Sequence, residues 1–208
     1  MTDVIENGLS AYTHARTEGT PGAPLFLTFH GTGGTEAQFH DAGTEFVPGA
    51  HVISPLGDVS EGGHARFFRR QAEGVYDMED LARATAKMSG FITAARAETG
   101  APRAIGLGYS NGANILATVA FARPDLVETL VLMHPLIPFA PDPQPGLAGR
   151  KVLITAGRRD PISPAVQTDA LAFWFERQGA EVTVAWHEGG HEIRREEVDA
   201  IGAFLGAP

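Results

Sequence analysis

Gly108-Tyr109-Ser110-Asn111-Gly112 is the stretch on which the reading of this chain turns. It fits G-x-S-x-G, yet with 25 glycines among 208 residues the pentapeptide alone says little. Its surroundings say more. Residues 102–107, Pro-Arg-Ala-Ile-Gly-Leu, form a short apolar run of strand length. Residues 113–122 are rich in helix formers and are halted by Arg123-Pro124. Strand, tight turn and helix is the context in which a serine is perched on a strained bend with its hydroxyl exposed. Such a bend needs neighbours with almost no side chain. Gly108 and Gly112 meet that need, and Gly106 relieves crowding one step back.

The same alternation extends to both sides. Upstream, residues 9–15 predict a first edge strand and Leu25-Phe26-Leu27-Thr28-Phe29 a fully buried one, ending in His30-Gly31-Thr32-Gly33-Gly34. Residues 35–46 predict a short helix and His51-Val52-Ile53-Ser54-Pro55 a strand end. Residues 56–74 read as an irregular loop, long enough to carry function. Within it, Phe67 and Phe68 read either as plugs of a small satellite core, with Arg66, Arg69 and Arg70 solvated, or as a substrate-pocket wall with a positive rim. Asp77 opens the clearest helix, with Asp80 as a partial capping box. Met78, Leu81, Thr85, Met88, Ile92 and Ala95 share one face of it, and Gly100 stops it. Further strands are expected at residues 129–133, 151–156 and 181–186. Residues 135–149 form a proline-punctuated surface excursion. Ser163 as N-cap with Pro164 at the first helical position predicts a helix to about residue 178, and residues 196–205 a terminal helix. Strands alternating with helices predict a single α/β domain over residues 1–208, with a mostly parallel sheet, helices on both faces and no large cap domain.

Composition narrows the function. The chain is 43% hydrophobic and 20% charged, as expected of a globular domain with a sizeable core. Its formal net charge of -9 argues against nucleic acid and against anionic membrane surfaces as partners. The absence of cysteine excludes disulfides, thiolate metal sites and a cysteine nucleophile. Residues 1–7 lack a basic region followed by an apolar block, and no run is long enough to span a bilayer, so a cytoplasmic location is expected.

In a sheet of this kind, functional groups collect at the carboxyl ends of the strands. The His30-Gly31-Thr32 loop, Ser110, Asp160 and His191 are all expected there. Their chain order, Ser then Asp then His, is that of an α/β-hydrolase triad. A serine hydroxyl needs an adjacent base, for which His191 is the candidate, and Asp160 would fix its tautomer. The backbone N–H groups of Asn111 and Thr32 are the candidate oxyanion donors, with Gly31, Gly33 and Gly34 letting substrate approach the main chain. His187 competes with His191 as base, and Asp142 and Asp169 are weaker candidates for the acid. His30 is expected to shape its loop as a structural donor, and His134 to line the pocket or pack. His187-Glu188-Gly189-Gly190-His191 matches H-E-x-x-H, a zinc signature that works only on a helix. Gly189-Gly190 would cost a helix about 2 kcal/mol, so no metal is expected.

These residues carry a resemblance. The chain resembles the bacterial carboxylesterase branch of the phospholipase/carboxylesterase (acyl-protein thioesterase-like) group of α/β-hydrolases, and more narrowly the hydrolases associated with hydroquinone resistance. The resemblance runs through His30-Gly31-Thr32-Gly33-Gly34, Arg66-Phe67-Phe68-Arg69-Arg70, residues 106–114, His134-Pro135, Ala156-Gly157-Arg158-Arg159-Asp160-Pro161-Ile162 and Gly190-His191. His64-Ala65 departs from it, where a proline is expected nearby. The resemblance implies Ser110, Asp160 and His191 as triad, Thr32 and Asn111 as oxyanion donors, no cofactor, and a homodimer in many members. The complete set of nucleophile, acid, base and oxyanion loop, in a chain with little room for a large cap domain, favours a short-chain carboxylic ester as small-molecule substrate. His30, Gly33, Phe67, Phe68, Arg69, Tyr109, His134 and Ile162 are expected around that substrate. An acyl thioester or lysophospholipid, and a non-catalytic small-molecule sensor, are the alternatives.

Overall fold

The computed structural model describes residues 8–206. The segment 1–7, on which the expected absence of a leader rests, lies outside the described residues. A short 3-10 turn at Leu9–Ala11 leads to β1 (His14–Thr17), β2 (Leu25–Phe29), helix α1 (Ala42–Phe46) and β3 (His51–Pro55). Four short strands follow, β4 (Val59–Glu61), β5 (His64–Arg66), β6 (Arg70–Ala72) and β7 (Val75–Tyr76). Then come α2 (Met78–Thr99), β8 (Ala104–Tyr109), α3 (Asn111–Ala122), β9 (Thr129–Met133) and a 3-10 turn at Pro145–Leu147. The chain closes with β10 (Lys151–Gly157), α4 (Ala165–Arg177), β11 (Glu181–His187) and α5 (Arg195–Leu205).

Seven strands form one sheet in the order β1-β3-β2-β8-β9-β10-β11, and only the β1–β3 pair is antiparallel. Strands buried on both faces read as continuous apolar runs, which is why β2, β8, β9 and β10 were conspicuous. Successive side chains of a strand point to opposite faces. Leu25, Leu27 and Phe29 therefore share one core with Phe91, Leu116 and Phe175 of α2, α3 and α4. Phe26, Ile105, Val131 and Leu153 form the other, with Ile201 of α5 and Phe46 of α1 against it. The architecture is the expected α/β sandwich. No described helix is long and apolar enough to cross a membrane.

Four local expectations give way. The edge strand begins at His14, after the 3-10 turn, because pairing with β3 runs from His14 opposite Pro55 to Thr17 opposite Val52. Only Ala42–Phe46 of the expected 35–46 helix is helical. The 56–74 loop is two antiparallel ribbons, β4–β5 and β6–β7, joined by Phe67 and Phe68. Ser163 does not cap α4. Its hydroxyl donates to the His134 carbonyl at 3.0 Å, and Pro164 stands at the N-cap without a side-chain bond. Asp77 does cap α2, accepting the Asp80 N–H at 3.0 Å. The Asp80 carboxylate is drawn instead to Arg69 and Arg83, so the box stays half-formed.

The bend between β8 and α3 is the tightest point of the fold. A Cβ on Gly112 would lie 2.2 Å from the Phe29 carbonyl oxygen, and one on Gly108 would lie 2.5 Å from that of Gly112. Both obstacles are backbone and cannot swing away. Gly112→Ala is therefore expected to cost about 1–3 kcal/mol or more by overpacking. Thermal unfolding should show a loss of several degrees, and an unchanged midpoint would refute the close approach.

Candidate active site

Ser110 sits on that bend with φ 52° and ψ -115°, a left-handed conformation rare for a residue with a side chain. Its N–H donates to the Met133 carbonyl at 2.8 Å, tying the bend to the end of β9. The strain aims the hydroxyl out of the sheet edge, where the imidazole of His191 meets it. His191 Nε2 lies 2.9 Å from Ser110 Oγ, and its Nδ1 lies 2.7 Å from Asp160 Oδ2. A carboxylate only accepts, so Nδ1 carries the proton and Nε2 is left as acceptor for the serine hydroxyl. Asp160 is itself held by its turn, its Oδ1 accepting the N–H groups of Ile162 at 2.8 Å and Ser163 at 2.9 Å. Burial opposes ionisation of Asp160. The N–H donors of Ser163, His134, His191 and Ile162 outweigh it and keep the carboxyl below its usual range. His191 is positioned by Tyr109, whose hydroxyl donates to the His191 carbonyl at 2.7 Å.

Ser110, His191, Thr32, Asn111, Tyr109 and Ile162 share one cleft of about 300 Å³. Among the described residues, no acceptor takes the backbone N–H of Thr32 or of Asn111. The second of these opens the twelve-residue helix α3, where the helix dipole adds positive potential. Two neighbouring contacts fix these donors. Arg66 Nη1 donates to Thr32 Oγ1 at 2.7 Å, and the Phe67 N–H donates to Asn111 Oδ1 at 2.8 Å. Arg66 at the end of β5 and Phe67 just after it thus hold the side chains of Thr32 and Asn111 at once.

Other expected substrate contacts do not reach the cleft. Phe67 and Phe68 are fully buried, Phe67 packed on Phe29 and His30 and Phe68 on Tyr76, so they are core plugs and not pocket wall. Arg69 points away to Asp77 and Asp80. Gly33 lies against the His64 ring. His30 is a loop-former, as its second reading held: Nδ1 contacts the Gly31 carbonyl at 2.7 Å and Nε2 accepts the Gly57 N–H at 2.9 Å. Desolvation, only partly offset by the Gly31 carbonyl, holds its imidazole below the ordinary range. His134 is wholly buried behind Asp160. In their place the cleft takes Arg66, Arg70, Glu73, Tyr76, Asn114 and Leu136. Of the two readings of the arginines, solvated or a positive rim, Arg66 follows the second: only 3% of it is exposed and it lines the cleft. The arginine-rich ribbon in which it lies gave no sign of which residue would turn inward.

The H-E-x-x-H stretch does not assemble. His187 ends β11 and turns towards Glu197, exposed Glu188 pairs with Arg158, and His191 faces Ser110. A different trio, His134, His187 and Glu197, does bring three ligand-type atoms within 4.8 Å of one another. Its hydrogen bonds fill that space. The Gly189 N–H donates to His187 Nδ1 at 2.9 Å, so the ring proton sits on Nε2, facing Glu197 Oε2 at 3.2 Å. A protonated nitrogen is no ligand. A second groove, of about 1310 Å³ between α2, α3 and residues 139–144, shares no lining residue with the Ser110 cleft.

No family model matches the chain. It is 38% identical over 189 residues to a protein of Bacillus subtilis (strain 168) that bears the name hydrolase MhqD, covering 89% of this chain and 94% of that protein. Among solved structures, the protein Atu2452 of unknown function from Agrobacterium tumefaciens str. C58 is 55% identical with a TM-score of 0.90, over 95% of this chain and 97% of that one. A carboxylesterase from Bacillus cereus is 34% identical with a TM-score of 0.87, over 94% and 93% of the two chains.

The grip of Arg66 is open to a direct check. Arg66→Ala releases the Thr32 loop, and turnover of an activated ester should fall about 10–100-fold with little change in KM. Circular dichroism should stay native. Undiminished turnover would mean that Arg66 plays no part in holding the donors.

Proposed function

Since the chain belongs to the carboxylesterase family of α/β-hydrolases, we propose that it cleaves short-chain carboxylic esters through an acyl-enzyme formed on Ser110. The observation that carries this reading is the hydrogen-bonded line from Ser110 Oγ through His191 to Asp160, with links of 2.9 and 2.7 Å, standing on a strained bend at the floor of a cleft. Ser110 Oγ attacks the ester carbonyl while His191 Nε2 takes its proton. Asp160 stabilises the imidazolium without accepting that proton. The carbonyl oxygen becomes an oxyanion between the N–H groups of Thr32 and Asn111. Collapse of this intermediate expels the alcohol, which receives the proton from His191. Water then repeats the sequence on the acyl-enzyme and releases the acid.

Substrate size follows from the cavity. A space of about 300 Å³ lies at the small end of ligand pockets, which favours a short acyl group. Its lining mixes Tyr76, Leu136 and Ile162 with Arg66, Arg70 and Glu73, so one wall is apolar and the rim is charged. A long fatty chain finds no apolar tunnel there. No step calls for a cofactor.

An organophosphonate should label Ser110 alone, as read by peptide mapping. Ser110→Ala should lose the label and at least about a thousandfold in turnover. Asp160→Asn should depress kcat far more than it raises KM, because the imidazole would be held in the wrong tautomer. Across a series of oxygen and sulfur esters, activity should peak at two to four acyl carbons. A folded protein that never takes the label would remove the serine mechanism, and a peak at long acyl thioesters would replace the substrate class.

A further inference from the structure

Behind Asp160 lies a buried polar cluster that the proposed reaction does not use. His134 follows β9 with φ 50°, the second left-handed residue other than glycine among the described residues. Its side chain is wholly buried. Nδ1 lies 2.8 Å from Asp160 Oδ2 and Nε2 lies 3.0 Å from Glu197 Oε1. Nδ1 therefore faces a carboxylate oxygen, and Nε2 lies closer to the Glu197 oxygen than to His187 Nε2, which stands 3.5 Å away; a carboxylate offers no proton to a bare nitrogen. A ring satisfied on both sides this way carries two protons and a positive charge.

The carboxylates are built to remain anions. Asp160 accepts four donors: the Ile162 and Ser163 N–H groups on Oδ1, and His134 and His191 on Oδ2. Glu197 accepts Thr155 Oγ1 (2.5 Å) on Oε1 and the Arg194 N–H (2.8 Å) on Oε2, and the same two oxygens lie 3.0 Å from His134 Nε2 and 3.2 Å from His187 Nε2. The remaining neighbours of His134 are neutral or can be. His187 keeps its proton on Nε2, with Nδ1 accepting from Gly189. Tyr109 and His191 present their rings at 5.8 and 5.0 Å. Burial alone would depress His134, but the Glu197 and Asp160 carboxylates overcome it and hold the imidazole above its ordinary range.

We propose that His134 is a resident imidazolium clamped between Asp160 and Glu197, and that it acts as a positioning residue, orienting Asp160 and opposing premature protonation of His191. This rests on the reading of Ser110, His191 and Asp160 as the reacting unit. The charge count shows the use of such a group. Two buried carboxylates facing one transient imidazolium would over-stabilise it and leave His191 a sluggish base. With His134 charged, the resting cluster carries one net negative charge, matched by the single positive charge that His191 gains in the transition state. Glu197 supplies the second carboxylate, without which His134 would not hold its proton against burial.

The clearest test needs no mutation. Nitrogen-15 spectra of histidine-labelled protein should show both His134 ring nitrogens protonated at pH 8, where a free imidazole is neutral. A singly protonated His134 at that pH would overturn the proposal whatever the enzyme's activity. So would one equivalent of tightly bound divalent metal, because Nε2 would then be a ligand. In Glu197→Gln the doubly protonated signature should be lost between about pH 6 and 8; its persistence would remove Glu197 from the scheme. In His134→Gln, if folded, the acid limb of kcat/KM should move up by about one to two pH units, since a cation about 5 Å from His191 is gone. A purely structural role would lower turnover and leave that limb in place. Loss of the serine label with the His134 signature intact would instead count against the ester mechanism.

Discussion

Everything at this site hangs on a backbone that turns through a left-handed conformation at Ser110, φ 52° and ψ -115°. Such a residue costs of order 1–3 kcal/mol and persists only where its surroundings over-determine it. Here they do. The Ser110 N–H is held by Met133 at 2.8 Å, β8 is paired on both sides by β2 and β9, and α3 is buried along almost its whole length. The two glycines let α3 approach the end of β2 so closely that only backbone fits between them. The strain is thus localised at one residue while the cost is spread over the middle of the sheet. A hydroxyl that had to be ordered by its own contacts would lose rotational freedom at each turnover; this one is aimed before substrate arrives.

The same sheet edge assembles the charges. Asp160 follows β10, His191 follows β11, His134 follows β9 and Glu197 reaches in from α5. None could be buried alone, because an isolated ion away from water is too costly to keep. Together they satisfy one another, with each carboxylate oxygen of the cluster lying within 3.2 Å of two nitrogen or hydroxyl groups. In the proposed reaction, preorganised dipoles of this kind need not reorient as charge develops on His191. The price is interdependence: removing one partner strands another in a dry environment.

How far the sequence reaches is set by the range of the interaction involved. The strand–bend–helix unit, the parallel sheet, and the gathering of Ser110, Asp160 and His191 depend on short-range signals: apolar runs, paired glycines, and loops that follow strands. Those were legible. The placement of Phe67, Phe68 and Arg66 was not, because three consecutive residues at the junction between two ribbons are all buried and no strand period announces that. Bonds to the loop after β2 and to α3, from the Gly33 N–H to the Ala65 carbonyl and from the Phe67 N–H to Asn111 Oδ1, make that choice. Glu197 was invisible for a similar reason. It stands beside Glu196 in the first turn of a helix, where acidic residues are ordinary, and its partner Thr155 is 42 residues away. Ser163 misled because a serine before a proline is a good cap in isolation, and here the His134 carbonyl competes for its hydroxyl more successfully.

What the ribbons do for the cleft follows from how they are anchored. The segment of the two ribbons gives the cleft Arg66, Arg70, Glu73 and Tyr76. A short flap with exposed hydrogen bonds and little buried surface would open readily. Here the strands of the ribbons are largely exposed, but the junction between them is buried. Phe67 and Phe68 are locked into the main core, Arg66 is buried among Thr32, Phe68 and Glu61, and the Phe67 N–H is bonded to the side chain beside the nucleophile. The wall is therefore part of the scaffold, joined to the donors it covers. Its anchoring aromatic side chains face away from substrate into the core, and its charged side chains edge the cleft. The cleft therefore has a wall anchored in the core on one side, with Arg66, Arg70 and Glu73 along its lining.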